Sequence, residues 1–186
     1  MCGRYYIEID EKELQEICEE VQKNQQENAR QLIIKFSGEI FPTDMVPVQT
    51  GINQYQAMKW GFSGFDGRPV INARSETALE KAMFKKPMLE RRCLIPASGY
   101  YEWRKCPKTK YQFYLPGSPI YLAGCYRQEK DNPLGSFVIL TRQAASSIEE
   151  IHQRMPVIIP REHIGFWLES PSAIEYASEE IAYKAV

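Results

Sequence analysis

The second residue of this 186-residue chain is the first one able to do unusual chemistry. The chain opens Met1-Cys2-Gly3-Arg4, and a second residue as small as cysteine permits removal of the initiator methionine. Cys2 would then carry a free α-amine, titrating near ~8, and a free thiol, titrating near ~8.5. An amine beside a thiol condenses with an aldehyde to an imine, and the sulfur then closes a five-membered thiazolidine. Serine would give a far more labile oxazolidine. Read alone, Cys2 is equally an ordinary small start to a chain.

Three further segments carry reactive types. In Val70-Ile-Asn-Ala-Arg-Ser-Glu-Thr77, Asn72 and Arg74 are two apart on a strand end and share a face. A helix capped by Ser75 or Thr77 follows, and the pair suits a phosphate or carboxylate. Asn72 as a turn residue and Arg74 as a surface cation is the plainer alternative. In Arg91-Arg-Cys-Leu-Ile-Pro-Ala-Ser-Gly-Tyr-Tyr-Glu-Trp103, strand alternation puts Tyr101 and Trp103 toward the core. Glu102 would then point into a cleft, where desolvation or a nearby cation sets its pKa for proton transfer; an exposed strand carboxylate is the alternative. In Ile151-His-Gln-Arg-Met-Pro-Val157, His152 ends a short helix before an abrupt turn. Only His152 and His163 exist, so a general acid near neutral pH falls to one of them. His163 beside Glu162 reads as a surface residue, and a lone histidine is often structural.

These residues need a scaffold. The composition, 44% hydrophobic and 25% charged with 12% aromatic, is that of a globular protein, and the length fits one domain over residues 1–186. No apolar run reaches membrane-spanning length and no signal peptide is read. Five cysteines without a C-x-x-C pair argue against zinc or a disulfide framework and for a reducing cytoplasm; no cofactor or metal is expected. The net charge of −1 excludes nucleic-acid binding by bulk charge. Between Glu76 and Lys110, however, cations outnumber acids and are interleaved with Tyr100, Tyr101 and Trp103, as on a single-strand-binding surface or a solvated face.

Strands are expected at Arg4–Ile9, Tyr55–Phe62, Val70–Ala73, Cys93–Pro96, Tyr100–Arg104, Tyr111–Leu115, Ile120–Tyr126, Ser136–Thr141 and Val157–Ile159. Pro42 and Pro47 predict edge segments or turns between Ile40 and Val48. Helices are expected from Asp10, with Glu13 as its capping-box partner, from Ser75 or Thr77 to Lys86 before Pro87, from Ser146 to His152, and over Arg161–Leu168. Gln25–Gln31 reads as a loop or frayed end, Ser63–Gly67 as a turn, and the stretch from Pro171 as a weak helix or tail. The sum is an α+β fold on a largely antiparallel sheet.

Taken together and in order, MCGRY, INARSET, RRCLIPASGYYEW and HQRMPVIIP resemble the SRAP (SOS response-associated peptidase) family of abasic-site processing proteins, over roughly Cys2 to Pro160. The resemblance implies a compact α+β fold with a barrel-like sheet. It also implies a monomer that binds single-stranded DNA in the DNA-damage response and crosslinks to abasic sites through a thiazolidine on Cys2, once Met1 is gone. It implies that Arg4, Asn72 and Arg74 hold phosphate and the opened sugar, that Glu102 positions and deprotonates the amine, and that His152 protonates the sugar oxygen. Asn72 counts with Cys2, Glu102 and His152 as catalytic. Slow strand cleavage and self-processing peptidase activity belong to the same machinery. The DNA-facing set extends to Pro42, Phe65 and Trp60, with Pro42 stacking at a kink and Phe65 as the wedge in a shortened loop.

Two other classes open similarly. An N-terminal-nucleophile amidohydrolase also begins Met-Cys-Gly, with the thiol attacking an amide and the amine as base. It leaves INARSET, Glu102 and HQRMP without a role. A noncovalent single-stranded-DNA-binding module would use Cys2 only as a chain end.

Overall fold

The computed structural model describes residues 2–10, 12–26, 33–130 and 132–186. The chain runs through β1 (Tyr5–Ile7), α1 (Lys12–Gln26), β2 (Gly38–Ile40), β3 (Met45–Gly51), β4 (Gln54–Trp60) and the short β5 (Phe62–Ser63) and β6 (Pro69–Val70). Then come β7 (Asn72–Arg74), α2 (Ala82–Glu90), β8 (Arg92–Ala97), β9 (Gly99–Arg104) and β10 (Thr109–Tyr114). The remainder is β11 (Ile120–Glu129), β12 (Asn132–Gln143), β13 (Arg154–Pro156), α3 (Ile164–Glu169) and β14 (Ala182–Ala185).

One sheet has the order β14-β10-β9-β1-β2 and is antiparallel throughout. The other runs β11-β8-β3-β4-β12-β13, and β11 also pairs with β12. Strands β11, β8, β3, β4 and β12 therefore close into a ring, which removes their free edges. The mostly antiparallel α+β fold follows the sequence reading, except that β4 and β7 both run parallel to β12. These parallel pairings join segments far apart in sequence, and no local pattern announces them.

The core lies inside the ring and between the two sheets. Trp60 is wholly buried between Tyr5 (ring centroids 5.2 Å apart) and Phe137 (6.4 Å), and Tyr100 stacks on Phe113 at 4.7 Å. Gly99 is required where β9 meets β1 and β10, because a Cβ there would collide with the Phe113 carbonyl and the Tyr6 ring. Arg92, also buried, ties two helix ends together by donating to the carbonyls of Met88, Leu89, Trp167 and Leu168.

Several expectations are corrected. The Ser75–Lys81 stretch forms turns; the helix is α2, which starts after Lys81 without a side-chain cap and contains Pro87. Pro87 is buried there, so packing overrides its cost to the helix. Ser146–Ile151 is likewise a run of turns, since hydrogen bonds such as Ile148 N–H to Ala145 O close single turns without propagating. Pro47, by contrast, lies within strand β3 as the expected extended edge position, since β3 meets β8 only at Gln49–Leu94, beyond the proline. Glu13 does not close a capping box: its carboxylate accepts from the Tyr121 hydroxyl and from Arg161 at 2.7 Å. Helix α1 continues to Gln26, while residues 27–31 lie outside the described residues. Past Pro171 a single 3-10 segment, Pro171–Tyr176, leads into β14, which pairs with β10.

Candidate active site

Strand β1 is paired on both sides, by β2 and β9, so the residues just before it are held in place where a chain end would ordinarily fray. Cys2 is fully buried there, with its Sγ 4.0 Å from the Arg4 carbonyl. Asn72, at the start of β7, donates its Nδ2–H to the Cys2 carbonyl at 2.9 Å. Parallel pairing of β7 with β12, at Ile139–Asn72, brings a side chain 70 residues away to the beginning of the chain.

Glu102 comes from β9. Tyr100 and Glu102 point inward and are buried, while Tyr101 and Trp103 lie half-buried on the outer face. This reverses the expected phase: Tyr101 and Trp103 do not face the core. Tyr100, on the opposite face from Trp103, packs in the interior instead. The carboxylate reaches His152, with Glu102 Oε2 3.8 Å from His152 Nε2. The other ring nitrogen, His152 Nδ1, is 3.0 Å from both the backbone N and the carbonyl O of Arg154. It can accept from the N–H when unprotonated and donate to the carbonyl when protonated, so the ring keeps one orientation in either state.

The electrostatics follow from burial. The Cys2 thiol is pushed well up by desolvation, with the negative charge of Glu102 adding to the effect. Glu102 is pushed up to about 7, again chiefly by burial, with the positive charge of the chain's amino terminus acting in the opposite direction. His152 is lowered, first by burial and then by that same charge. At neutral pH the site therefore combines a neutral thiol, a carboxyl poised between its two states and a neutral imidazole. Such a set can move protons around an amine and a thiol.

The other expected residues divide. Arg74 is exposed and makes no ion pair among the described residues. Arg4 lies over the Phe41 ring at 4.1 Å and donates to Glu39 at 2.9 Å. Pro42 is half-buried in a tight turn held by the Phe41 N–H to Asp44 bond of 2.8 Å. Phe65 is fully exposed on the β5–β6 loop. Glu129 roots that loop by accepting from the Ser63 N–H (2.7 Å) and hydroxyl (3.1 Å). Trp60 is corrected: its indole N–H bonds the Ile71 carbonyl at 3.0 Å within the core, so it presents no surface to DNA. Sequence reasoning gave no role to Arg154, whose guanidinium grips Glu76 with two bonds of 2.6 and 2.9 Å and the Thr141 carbonyl at 2.6 Å. That grip holds Glu76 down to about 2.

Fold and site define an α+β barrel protein with an acid–base cluster built around a cysteine at the start of its first strand. The chain belongs to the SRAP, SOS response associated peptidase, family, whose model matches residues 1–184. It is 41% identical over 109 residues to the abasic site processing protein YoqW of Bacillus subtilis, a match covering 55% of this chain and 49% of that one. To the abasic site processing protein YedK of Escherichia coli it is 32% identical over 127 residues, covering 64% of this chain and 57% of that one. The chain thus matches about half the length of these curated relatives. Among solved structures, a protein from Bordetella bronchiseptica matches with a TM-score of 0.77 at 20% identity, covering 100% of this chain and 99% of that one. A protein from Bacteroides thetaiotaomicron matches at 0.71 and 24%, covering 89% and 88%.

Proposed function

We propose that residues 1–186 form one SRAP domain that binds single-stranded DNA and captures abasic sites covalently through Cys2 after loss of Met1. The convergence of Asn72, Glu102 and His152 on the start of β1 is the observation that carries this reading.

The aldehyde of a ring-opened abasic sugar reacts first with the amine. Glu102 accepts a proton from the ammonium, the free amine adds to the carbonyl carbon, and one water leaves as the imine forms. His152 relays to the sugar oxygen, as the ring opens, a proton that it takes up from protonated Glu102 3.8 Å away. The thiol then adds across the C=N bond, its proton passing to nitrogen. The thiazolidine forms with a net release of one water and no change of oxidation state. The raised thiol pKa fits this order, since sulfur need not be a thiolate until the imine stands beside it. Asn72 holds the Cys2 carbonyl so that the terminal amine faces Glu102. Arg4 and the exposed Arg74 hold phosphates, Pro42 packs at the bend of the strand, and Phe65 wedges against a base. Elimination from the imine would give slow strand cleavage, and the same acid–base pair would serve removal of the residue before Cys2. A cytoplasmic DNA-damage role as a monomer completes the proposal. Among the described residues no helix is long and apolar enough to cross a membrane.

The test mixes mature protein with an oligonucleotide bearing one abasic site and resolves the products on a denaturing gel. A covalent adduct is expected with wild type and not with Cys2→Ala, nor when an N-terminal tag occupies the amine. Equal crosslinking by Cys2→Ala would refute the thiazolidine. Ammonia release from glutamine would instead point to an amidohydrolase, and salt-sensitive binding without any adduct to a plain binding module.

A further inference from the structure

The outer face of the β14-β10-β9-β1-β2 sheet carries an ion network that the crosslinking chemistry does not use. Glu39 in β2 accepts from Arg4 at 2.9 Å and from the Lys110 ammonium of β10. Strands β1 and β9 lie between β2 and β10, so the bridge crosses the sheet face. Aromatic rings floor it. Arg4 lies 4.1 Å over Phe41 and 5.2 Å over Trp103, and Lys110 lies 3.8 Å over Tyr101 and 5.8 Å over Trp103. Side-chain exposures of 29% for Arg4, 26% for Lys110 and 33% for Glu39 leave all three within reach of a ligand.

Two cations here share one carboxylate. The cations at the bridge therefore outnumber the carboxylate bonded to them. A phosphodiester matches what Glu39 now supplies: one negative charge with two oxygens able to bridge two donors. Rings alongside cations are also what a single strand uses for stacking. We infer that Glu39 is a displaceable counter-ion, occupying between Arg4 and Lys110 the position of a phosphodiester from a nucleotide flanking the one captured at Cys2. This rests on the single-strand reading above. Glu39 lowers affinity for every strand and leaves stable occupancy to those also held at Cys2, and Lys110 joins Arg4 as a phosphate ligand.

The experiment measures anisotropy of a fluorescein-labelled single strand without an abasic site across a potassium chloride series. It compares wild type, Glu39→Gln, Glu39→Ala, Lys110→Ala and the Glu39→Gln/Lys110→Ala double variant, with the abasic crosslinking gel run in parallel on wild type. Both Glu39 variants should bind roughly three- to tenfold more tightly at low salt, as expected when a competing charge leaves a partly buried site. Their log–log salt slope should steepen by about 0.7, the value of one additional phosphate contact on a single strand. Lys110→Ala should weaken binding in both backgrounds. If wild type crosslinks but the Glu39 variants bind no more tightly than wild type, the carboxylate is only a clamp between strands and this inference alone falls. If neither wild type nor the Glu39 variants bind single strands, the inference falls together with the single-strand reading.

Discussion

Replacing Glu102 by glutamine should move stability and activity in opposite directions, and both shifts can be sized. In an unfolded chain a glutamate titrates near 4.5, whereas burial in the barrel raises Glu102 to about 7. The folded protein thus binds more protons than the unfolded chain between these values. Stability from this group is fully present below 4.5 and is lost as pH rises through 7. The difference corresponds to about 3 kcal/mol above pH 7, the cost of holding a buried carboxylate. Glu102→Gln keeps the shape and cannot ionise, so at pH 8 it should unfold about 3 kcal/mol later than wild type in urea, with the gain vanishing near pH 4. Crosslinking should respond in the reverse sense. If ionised Glu102 receives the amine's proton, the wild-type single-turnover rate falls about fivefold from pH 7 to pH 6, as the ionised fraction drops from about half to about a tenth. In Glu102→Gln the rate at pH 7 should fall by about 100-fold, and the limb centred near 7 should disappear. The measurements are denaturant titrations at pH 4 and 8 and gel time courses from pH 5.5 to 8.5. A variant that is no more stable at pH 8, or that crosslinks with an unchanged pH limb, would refute this account of Glu102.

Two other substitutions probe the frame and the surface. Arg92→Met should cost about 3 kcal/mol or more in urea denaturation, because the carbonyls of Met88, Leu89, Trp167 and Leu168 lose their donor together. Phe65→Ala should leave stability within about 0.5 kcal/mol, since the ring is fully exposed. It should weaken single-strand binding by roughly five- to tenfold, the loss of one stacked base, as read by anisotropy.

Strand content was legible because it depends on local pattern, and residue type alone nominates the candidate site residues. Alternation marked β9, and the scarcity of histidine singled out His152. What joins those residues was not legible. Asn72 reaches Cys2 only because β7 pairs in parallel with β12, a contact between distant segments that leaves no periodic trace. The phase of β9 was misread because aromatic residues occupy both faces, so hydrophobicity could not choose between Tyr100 and Trp103 for the interior. Pro87 reads as the end of a helix, yet burial holds it inside α2. β14 leaves no sequence signal because Ala182–Ala185 is short and mostly exposed; its pairing with β10, more than its composition, makes it a strand.

The depth at which Cys2 lies has a consequence for durability. A thiol at a chain terminus would ordinarily be an easy target for peroxide, disulfide exchange and free aldehydes. Held neutral and wholly enclosed against the Arg4 carbonyl, this sulfur has almost no thiolate to offer an oxidant between encounters. Under the capture proposed above the thiol is used once, and burial would keep it intact until an aldehyde docks beside it.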